Sequence, residues 1–255
     1  GGAGAAACGR GGGGGGWVGG GAGGLEVRWG GGESGRIKGY ARERVAMQPD
    51  VILSRTTPVT AALLRETRTI PVVFVNVSDP VGAGFAASIA RPGGNATGFT
   101  QVEASLGGKW VEVLKEINPR IAGIAALFGK KTSPEGGAFY LRLIQNAARS
   151  IAVETIAAPV EDTADIERVI EKVAREPNVG MVVMPDVTTT SNVALIVSLA
   201  ARYRVPAVYS YRYIAAEGGL ASYGHDVTDA YRQAAKYVDR VLRGEKVGEL
   251  PVQGP

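Results

Sequence analysis

The chain has 255 residues, and its 28 basic and 24 acidic side chains give a net charge of +4. This length allows one large domain or two domains of about 100–130 residues each. The charges are scattered without a basic cluster interleaved with aromatic residues, which argues against nucleic-acid binding. No apolar run reaches the roughly 18–20 residues of a membrane span. The chain has one cysteine, Cys8, and one histidine, His225, which excludes a His/Cys zinc site within one chain.

Residues 1–24 are almost entirely glycine and alanine, yet Trp17-Val18 stands among them. The next segment, Leu25–Trp29, alternates like an ordinary strand. A flexible tail has no obvious use for a lone Trp-Val pair. We therefore hypothesise that many of these glycines and alanines stand for side chains that were not identified. The first segment would then be a helix that leads into a strand at about 24–29.

From residue 36 onward, helical and strand patterns alternate, which predicts an α/β fold with right-handed βαβ units and parallel sheets. The first series comprises the predicted helices 36–47, 59–68 and 86–90 and the predicted strands 51–53, 71–77 and 96–100. The second comprises the predicted helices 106–117, 139–150, 162–175, 192–203 and 228–243 and the predicted strands 121–128, 153–157, 179–184, 207–209 and 220–223. Two such series indicate two domains with a break near 100–106.

Polar turns follow several apolar stretches and precede a helical pattern. These stretches are Val51–Thr57, Val72–Asp79, Ile121–Ser133, Val179–Asp186 and Val205–Tyr211. In a parallel sheet such turns collect at the carboxyl edge, where small molecules bind. The pattern predicts a cleft lined by small polar groups, with no catalytic residues and no metal. The chain has no Gly-x-Ser-x-Gly elbow and no Walker loop.

Two of these turns lie in the first series. Thr56 and Thr57 precede Pro58, where Thr57 would be the N-cap of the next helix. Either these residues only cap the helix, or its free N–H groups bind an anion such as a carboxylate. Ser78 is predicted to contact a ligand. Asp79 either caps the following helix or holds a ligand ammonium or hydroxyl.

The second series offers a carboxylate and an aromatic cluster. Asp186 ends an apolar strand, and hydroxyls at 188–191 could cap the next helix without it. A buried aspartate needs a partner, which a ligand cation would supply. Tyr209 and Tyr211 could form a wall for an organic ligand, and Arg212 could clamp a carboxylate, although alternation lets only some of them face the cleft.

A Gly-x-Gly-x-x-Ala pattern at 82–87 is a weak indication of dinucleotide binding. Asp79-Pro80 separates the pattern from its strand, and no strand ending in an acidic residue follows about 20 residues later. A tight turn is the favoured interpretation. We therefore predict no cofactor.

The chain resembles the tryptophan/tyrosine-type family of substrate-binding proteins of bacterial ABC importers, which have a type I periplasmic binding fold. The segments that carry the resemblance are spread over the chain: Trp17-Val18 with 25–29, 49–53, Thr57-Pro58, 70–74, 77–84, 90–98, 218–224 and 244–252. The most specific block is Val77-Ser78-Asp79-Pro80-Val81-Gly82-Ala83-Gly84. Where relatives usually carry Glu, Arg and Asn, this chain has Gly19, Gly21 and Ala22.

The resemblance implies two Rossmann-like lobes with a hinge and an interlobe cleft. One lobe would comprise 1–100 plus 226–245, and the other 101–225 plus 246–255. Hinge closure would capture a small ligand, an amino acid or related carboxylate, and the closed monomer would dock on a membrane permease. Such proteins are exported, which implies a periplasmic or lipid-anchored location. Relatives usually continue beyond Pro255, and Cys8, with seven residues before it, does not match the usual anchor position.

Within this family, we expect Thr56, Thr57 and Ser78 to bind the ligand from the first lobe and Asp186 and Tyr211 from the second, with Asp186 on an ammonium. Two other functions remain open. One is a ligand-sensing domain that signals to a regulator or kinase, and the other is a nucleotide-dependent enzyme on a doubly wound scaffold.

Overall fold

The computed structural model describes residues 4–8, 25–31 and 33–254, which form two compact units. The unit Val102–Asp226 is called the second unit, and the first unit comprises the described residues before Val102 together with 227–254. The strands are β1 (Gly4–Cys8), β2 (Leu25–Trp29), β3 (Val51–Arg55), β4 (Val72–Val77), β5 (Ala96–Thr100), β6 (Gly123–Gly129), β7 (Glu154–Val160), β8 (Val179–Val183), β9 (Ala207–Tyr209) and β10 (Ala221–Ser222). The α-helices are α1 (Ser34–Ala46), α2 (Thr57–Glu66), α3 (Ala104–Ile117), α4 (Ala138–Ala148), α5 (Thr163–Arg175), α6 (Val187–Ser191), α7 (Val193–Tyr203), α8 (Arg212–Ala216) and α9 (Val227–Leu242).

The first unit contains a five-stranded sheet in the order β2-β1-β3-β4-β5. Strands β3, β4 and β5 pair in parallel, but β1 is antiparallel to both of its neighbours. All six residues of β4 are buried, as expected for a central strand with both faces covered. The expected helix before β2 is wrong for residues 4–8, which form β1, while residues 9–24 lie outside the described part of the chain.

Helix α9 belongs to the first unit, where its apolar face packs on Val73, Val75 and Phe99. The rings of Phe99 and Tyr237 lie 4.9 Å apart. The segment after α9 also belongs to this unit, contrary to the expected placement of 246–255 in the other lobe. Its backbone explains the difference, because Thr97 Oγ1 donates to Leu250 O at 2.6 Å and the Gln253 N–H donates to Gly98 O at 2.9 Å.

The second unit contains a parallel five-stranded sheet in the order β10-β9-β8-β6-β7. The chain leaves β6 for β7 on one side and returns to β8 on the other, so the topological switch point lies between β6 and β8. Helices α3 and α4 approach closely at Gly107, where a Cβ would lie 2.4 Å from Leu143 O. Trp110 of α3 is fully buried, and its Nε1–H donates to Tyr223 O at 2.8 Å.

The predicted helix at 86–90 is wrong, because residues 80–95 form turns and bends up to the start of β5. Pro80 and Pro92 limit backbone hydrogen bonding there, and the Phe85 and Ala86 side chains anchor the segment by burial. The predicted helix 192–203 corresponds to α7, which a break at Asn192 separates from the short α6. Among the described residues, no helix combines the length and apolarity needed to cross a membrane.

Candidate ligand-binding edges of the two sheets

Thr56 follows β3 and precedes α2 with a backbone conformation that L-residues rarely adopt. Its φ is 77° and its ψ is 151°, a region populated almost only by glycine. Two contacts hold it there: its N–H donates to Val75 O at 3.0 Å, and its carbonyl accepts from the Thr60 N–H at 3.1 Å. The conformation is therefore fixed by the neighbouring strand β4 and by the first turn of α2.

The side chain of Thr56 does not cap α2, although Thr56 occupies the N-cap position. The prediction that Thr57 is the N-cap is wrong by one residue, since Thr57 begins the helix and Pro58 follows it. Thr56 Oγ1 is buried and has no hydrogen-bond partner among the described residues. Because no side chain caps α2, the backbone N–H groups of its first turn can donate hydrogen bonds to an anion.

Ser78 follows β4 and is 3% exposed. Its hydroxyl oxygen accepts a hydrogen bond from Gln101 Nε2 at 2.8 Å, and its N–H lies 3.5 Å from Thr57 Oγ1. Thr57 and Ser78 are thus brought together at the carboxyl edge of the first sheet. Gln101 could not be recognised from the sequence, because it comes after β5 with no polar turn motif around it.

Asp79 follows Ser78 in the chain, but its carboxylate forms a hydrogen bond within its own turn. Its Oδ1 accepts from the Gly82 N–H at 2.8 Å. A Cβ at position 82 would lie 2.1 Å from Asp79 Oδ2, so a larger residue there would displace the Asp79 carboxylate from this turn. The alternative that Asp79 caps a following helix is wrong, since no helix follows, and the carboxylate instead closes a turn.

Asp186 follows β8 at the topological switch point of the second sheet. One carboxylate oxygen accepts from the Gly129 N–H at 2.9 Å and from Ser133 Oγ at 3.1 Å. The other accepts from Thr132 Oγ1 at 3.0 Å and from the Thr189 N–H at 3.1 Å. Asp186 is also the N-cap of α6 in a capping box with Thr189. The expectation that nearby hydroxyls would leave Asp186 out of the cap is therefore wrong.

All four donors to Asp186 are neutral groups, and its carboxylate forms no ion pair with any described residue. Burial raises the pKa of the Asp186 carboxyl above its ordinary value, and the hydrogen bonds from Gly129, Thr189, Thr132 and Ser133 oppose that shift. The site therefore holds a buried carboxyl group whose hydrogen-bond donors are all neutral. Thr132 and Ser133 end the stretch Ile121–Ser133, whose polar turn the sequence pattern placed at a sheet edge, but no ligand or partner role was predicted for either residue.

Tyr211 is 3% exposed and precedes α8 at the same edge of the second sheet. Its ring stacks on the Tyr213 ring with centroids 5.6 Å apart and meets the His225 ring edge-on at 5.8 Å. From the sequence, His225 entered only the exclusion of a zinc site, and its contact with Tyr211 arises because the chain returns to this edge after β10. Arg212, by contrast, is exposed at the start of α8.

Tyr209 does not join Tyr211. It lies in β9, is 1% exposed, and lines a cavity beside α7 and the loop before β10. Burial raises the pKa of Tyr209 to about 12. Tyr209 is the last residue of β9, whereas Tyr211 lies beyond the strand at the N-cap of α8, so strand alternation does not relate the two side chains.

A family model described as ABC transporter substrate binding protein matches residues 30–254. The chain belongs to this family. The resemblance inferred from the sequence is confirmed, and so is the α/β fold class with two Rossmann-like lobes of type I periplasmic binding proteins. This substrate-binding protein is also 26% identical over 212 residues to the tyrosine-binding protein of Clostridioides difficile strain R20291. That match covers 83% of this chain but only 60% of the relative, so the chain spans less than two thirds of the relative's length.

Two solved structures are also similar to this substrate-binding protein. An ABC domain from Streptococcus pneumoniae in complex with L-Trp has a TM-score of 0.82 at 24% identity, and the match covers 88% of this chain and 75% of that one. A conserved domain protein from Vibrio cholerae has a TM-score of 0.81 at 28% identity, with 88% and 74% covered. The first of these likenesses establishes the fold alone.

Proposed function

We propose that this protein is the solute-binding component of an ABC importer and captures an amino acid or a related carboxylate. The proposal is supported by family membership and by two similar proteins, one named as tyrosine-binding and one in complex with L-Trp. These relatives make the aromatic amino acids the first ligands to test. The ligand would bind between the two lobes, which would close on it about a hinge, and the closed form would dock on a membrane permease. Action outside the cytoplasmic membrane, in the periplasm or on a lipid anchor, follows from the same proposal.

The observation that carries the proposal is that the two sheet edges suit groups of opposite charge. The first edge has an uncapped helix start with the partnerless Thr56 Oγ1, which suits a carboxylate. The second edge has the Asp186 carboxylate, held only by neutral donors, which suits an ammonium. A zwitterionic amino acid carries both groups.

In this assignment Thr56, Thr57 and Ser78 bind the ligand carboxylate. Asp186 binds the ammonium when Thr132 Oγ1, which also lies 2.9 Å from Thr188 Oγ1, gives up its place on the carboxylate. Tyr211 supplies an apolar wall, with its ring kept in place by Tyr213. Asp79 contributes indirectly, by fixing the turn that follows Ser78.

Isothermal titration calorimetry with L-tyrosine, tyramine and 3-(4-hydroxyphenyl)propionate tests this assignment, because the two analogues lack the carboxylate and the ammonium respectively. We expect L-tyrosine to bind more tightly than either analogue. Asp186→Asn should weaken the binding of L-tyrosine by about 2–4 kcal/mol and leave the binding of 3-(4-hydroxyphenyl)propionate unchanged, because only the amino acid carries an ammonium. Asp79→Asn is the matched control and should leave the preference for the amino acid intact.

A thermal-shift screen decides among function classes. A rise in melting temperature with amino acids alone supports a solute-binding function, through the mass-action stabilisation that a native-state ligand gives. A rise in melting temperature with nucleotides alone would refute the solute-binding function and favour a nucleotide-dependent enzyme. Equal affinities of the Asp186→Asn variant and the unmodified protein for L-tyrosine would remove Asp186 from the site.

A further inference from the structure

A cavity of about 310 Å³ lies wholly within the second unit, at the amino edge of its sheet. It is enclosed by the end of α7, by the loop that leads into β9 and by the residues that precede β10. Because all strands of this sheet are parallel, the cavity lies at the opposite edge from Asp186 and Tyr211. It is therefore separate from the amino acid site proposed above.

The walls of this cavity are mainly apolar. They include Val197 and Ala200 from α7, Pro206 before β9, and Leu220 before β10. The Tyr209 ring lies against the backbone of Gly219, where a Cβ would be 3.0 Å from two of its ring carbons. Leu220 is 60% exposed, so apolar surface continues to the solvent at this edge.

Two polar groups interrupt the apolar lining. Tyr209 is almost completely buried, and burial raises its pKa. Arg204 also lines the cavity, is exposed to solvent, and forms no ion pair with any described residue. Its φ of 55° fixes it as the left-handed C-cap of α7.

We propose that this cavity binds a small monocarboxylic acid with a compact apolar body. The apolar walls would enclose the body, and the Arg204 guanidinium would pair with the carboxylate. A cavity of about 150 Å³ already accommodates benzene, so the present volume is ample for a one-ring acid. Beside Arg204, Tyr209 contributes the other polar side chain named in this lining.

The test is a ¹⁹F NMR titration of the full chain with 4-fluorobenzoate, in the presence of saturating L-tyrosine so that the other site is occupied. We expect saturable binding. Ala200→Leu fills the cavity from a helix position and should abolish it. Arg204→Asn removes the charge while keeping a residue that tolerates the left-handed conformation, and should weaken binding about tenfold.

Arg202→Gln is the matched control, since Arg202 is an exposed arginine of the same helix that does not line the cavity. It should leave the dissociation constant unchanged. Absence of saturable binding overturns the proposal, as does equal binding by the Ala200→Leu variant. If Ala200→Leu fails to fold by circular dichroism, the comparison of Arg204→Asn with Arg202→Gln decides, because equal affinities of these two variants also overturn it.

Discussion

Thr56 combines a strained backbone with a buried hydroxyl that has no partner, and this combination makes opposite predictions for stability and for binding. Strain of this kind costs about 1–3 kcal/mol in the folded state. Thr56→Gly relieves it, because glycine adopts a φ of 77° readily. Glycine also loses about 0.5–1 kcal/mol more backbone entropy on folding, so the net gain should be about 1 kcal/mol.

Thr56→Ala provides the comparison that isolates the strain. Both variants lose the hydroxyl, but alanine keeps the Cβ that makes the conformation unfavourable. The glycine variant should therefore be more stable than the alanine variant by about 1 kcal/mol in urea unfolding, with a melting temperature about 2–4 °C higher. If the glycine variant is no more stable than the alanine variant, the strain argument is wrong.

Binding should respond to the hydroxyl and not to the strain. A hydrogen bond to a charged carboxylate contributes about 1.5–3 kcal/mol, so both variants should bind L-tyrosine about 10–150-fold more weakly. Thr56→Ser keeps the hydroxyl and should bind like the unmodified protein. Calorimetry at constant pH measures all three. Unchanged affinity in the alanine variant would show that Thr56 Oγ1 does not contact the ligand.

Three further predictions concern buried groups. Burial raises the pKa of the Asp186 carboxyl, so the folded protein holds this proton more tightly than the unfolded chain does. The stability of the unmodified protein relative to Asp186→Asn should therefore fall as pH rises above about 4. The sign is the same for Tyr209, whose pKa is about 12 in the folded state: the stability of the unmodified protein relative to Tyr209→Phe should fall between pH 10 and 12. Denaturant titrations should show a fall of about 2–3 kcal/mol, and a stability difference that does not change with pH would contradict the burial argument. Gly107→Ala should destabilise the second unit by about 1–3 kcal/mol in thermal unfolding, since its Cβ would collide with Leu143 O, whereas Gly108→Ala, with open space around it, should not.

Part of the candidate site could be predicted from the sequence because it depends on strand ends. Period and polarity were enough to place Thr57 and Ser78 at the carboxyl edge of parallel strands, and the pairing of β3 with β4 brings the two residues together. The hydrogen-bond partners were not predictable in this way. Gln101 reaches Ser78 from the following strand, and Thr132 and Ser133 reach Asp186 across more than 50 residues. Such contacts depend on strand order, which a periodicity argument does not contain.

Local hydrogen bonding and apolar periodicity are properties of short segments, and they determined where most helices and strands of this chain lie. Strand Ala96–Thr100 and strand Ala207–Tyr209 match their predicted bounds because β-branched and aromatic residues there are flanked by turn residues. Tertiary structure alone decided the antiparallel direction of β1, the placement of 246–254 in the first unit, and the separation of Tyr209 from Tyr211. Each of these follows from pairing or packing between segments distant in the chain, whose free energy no local pattern records.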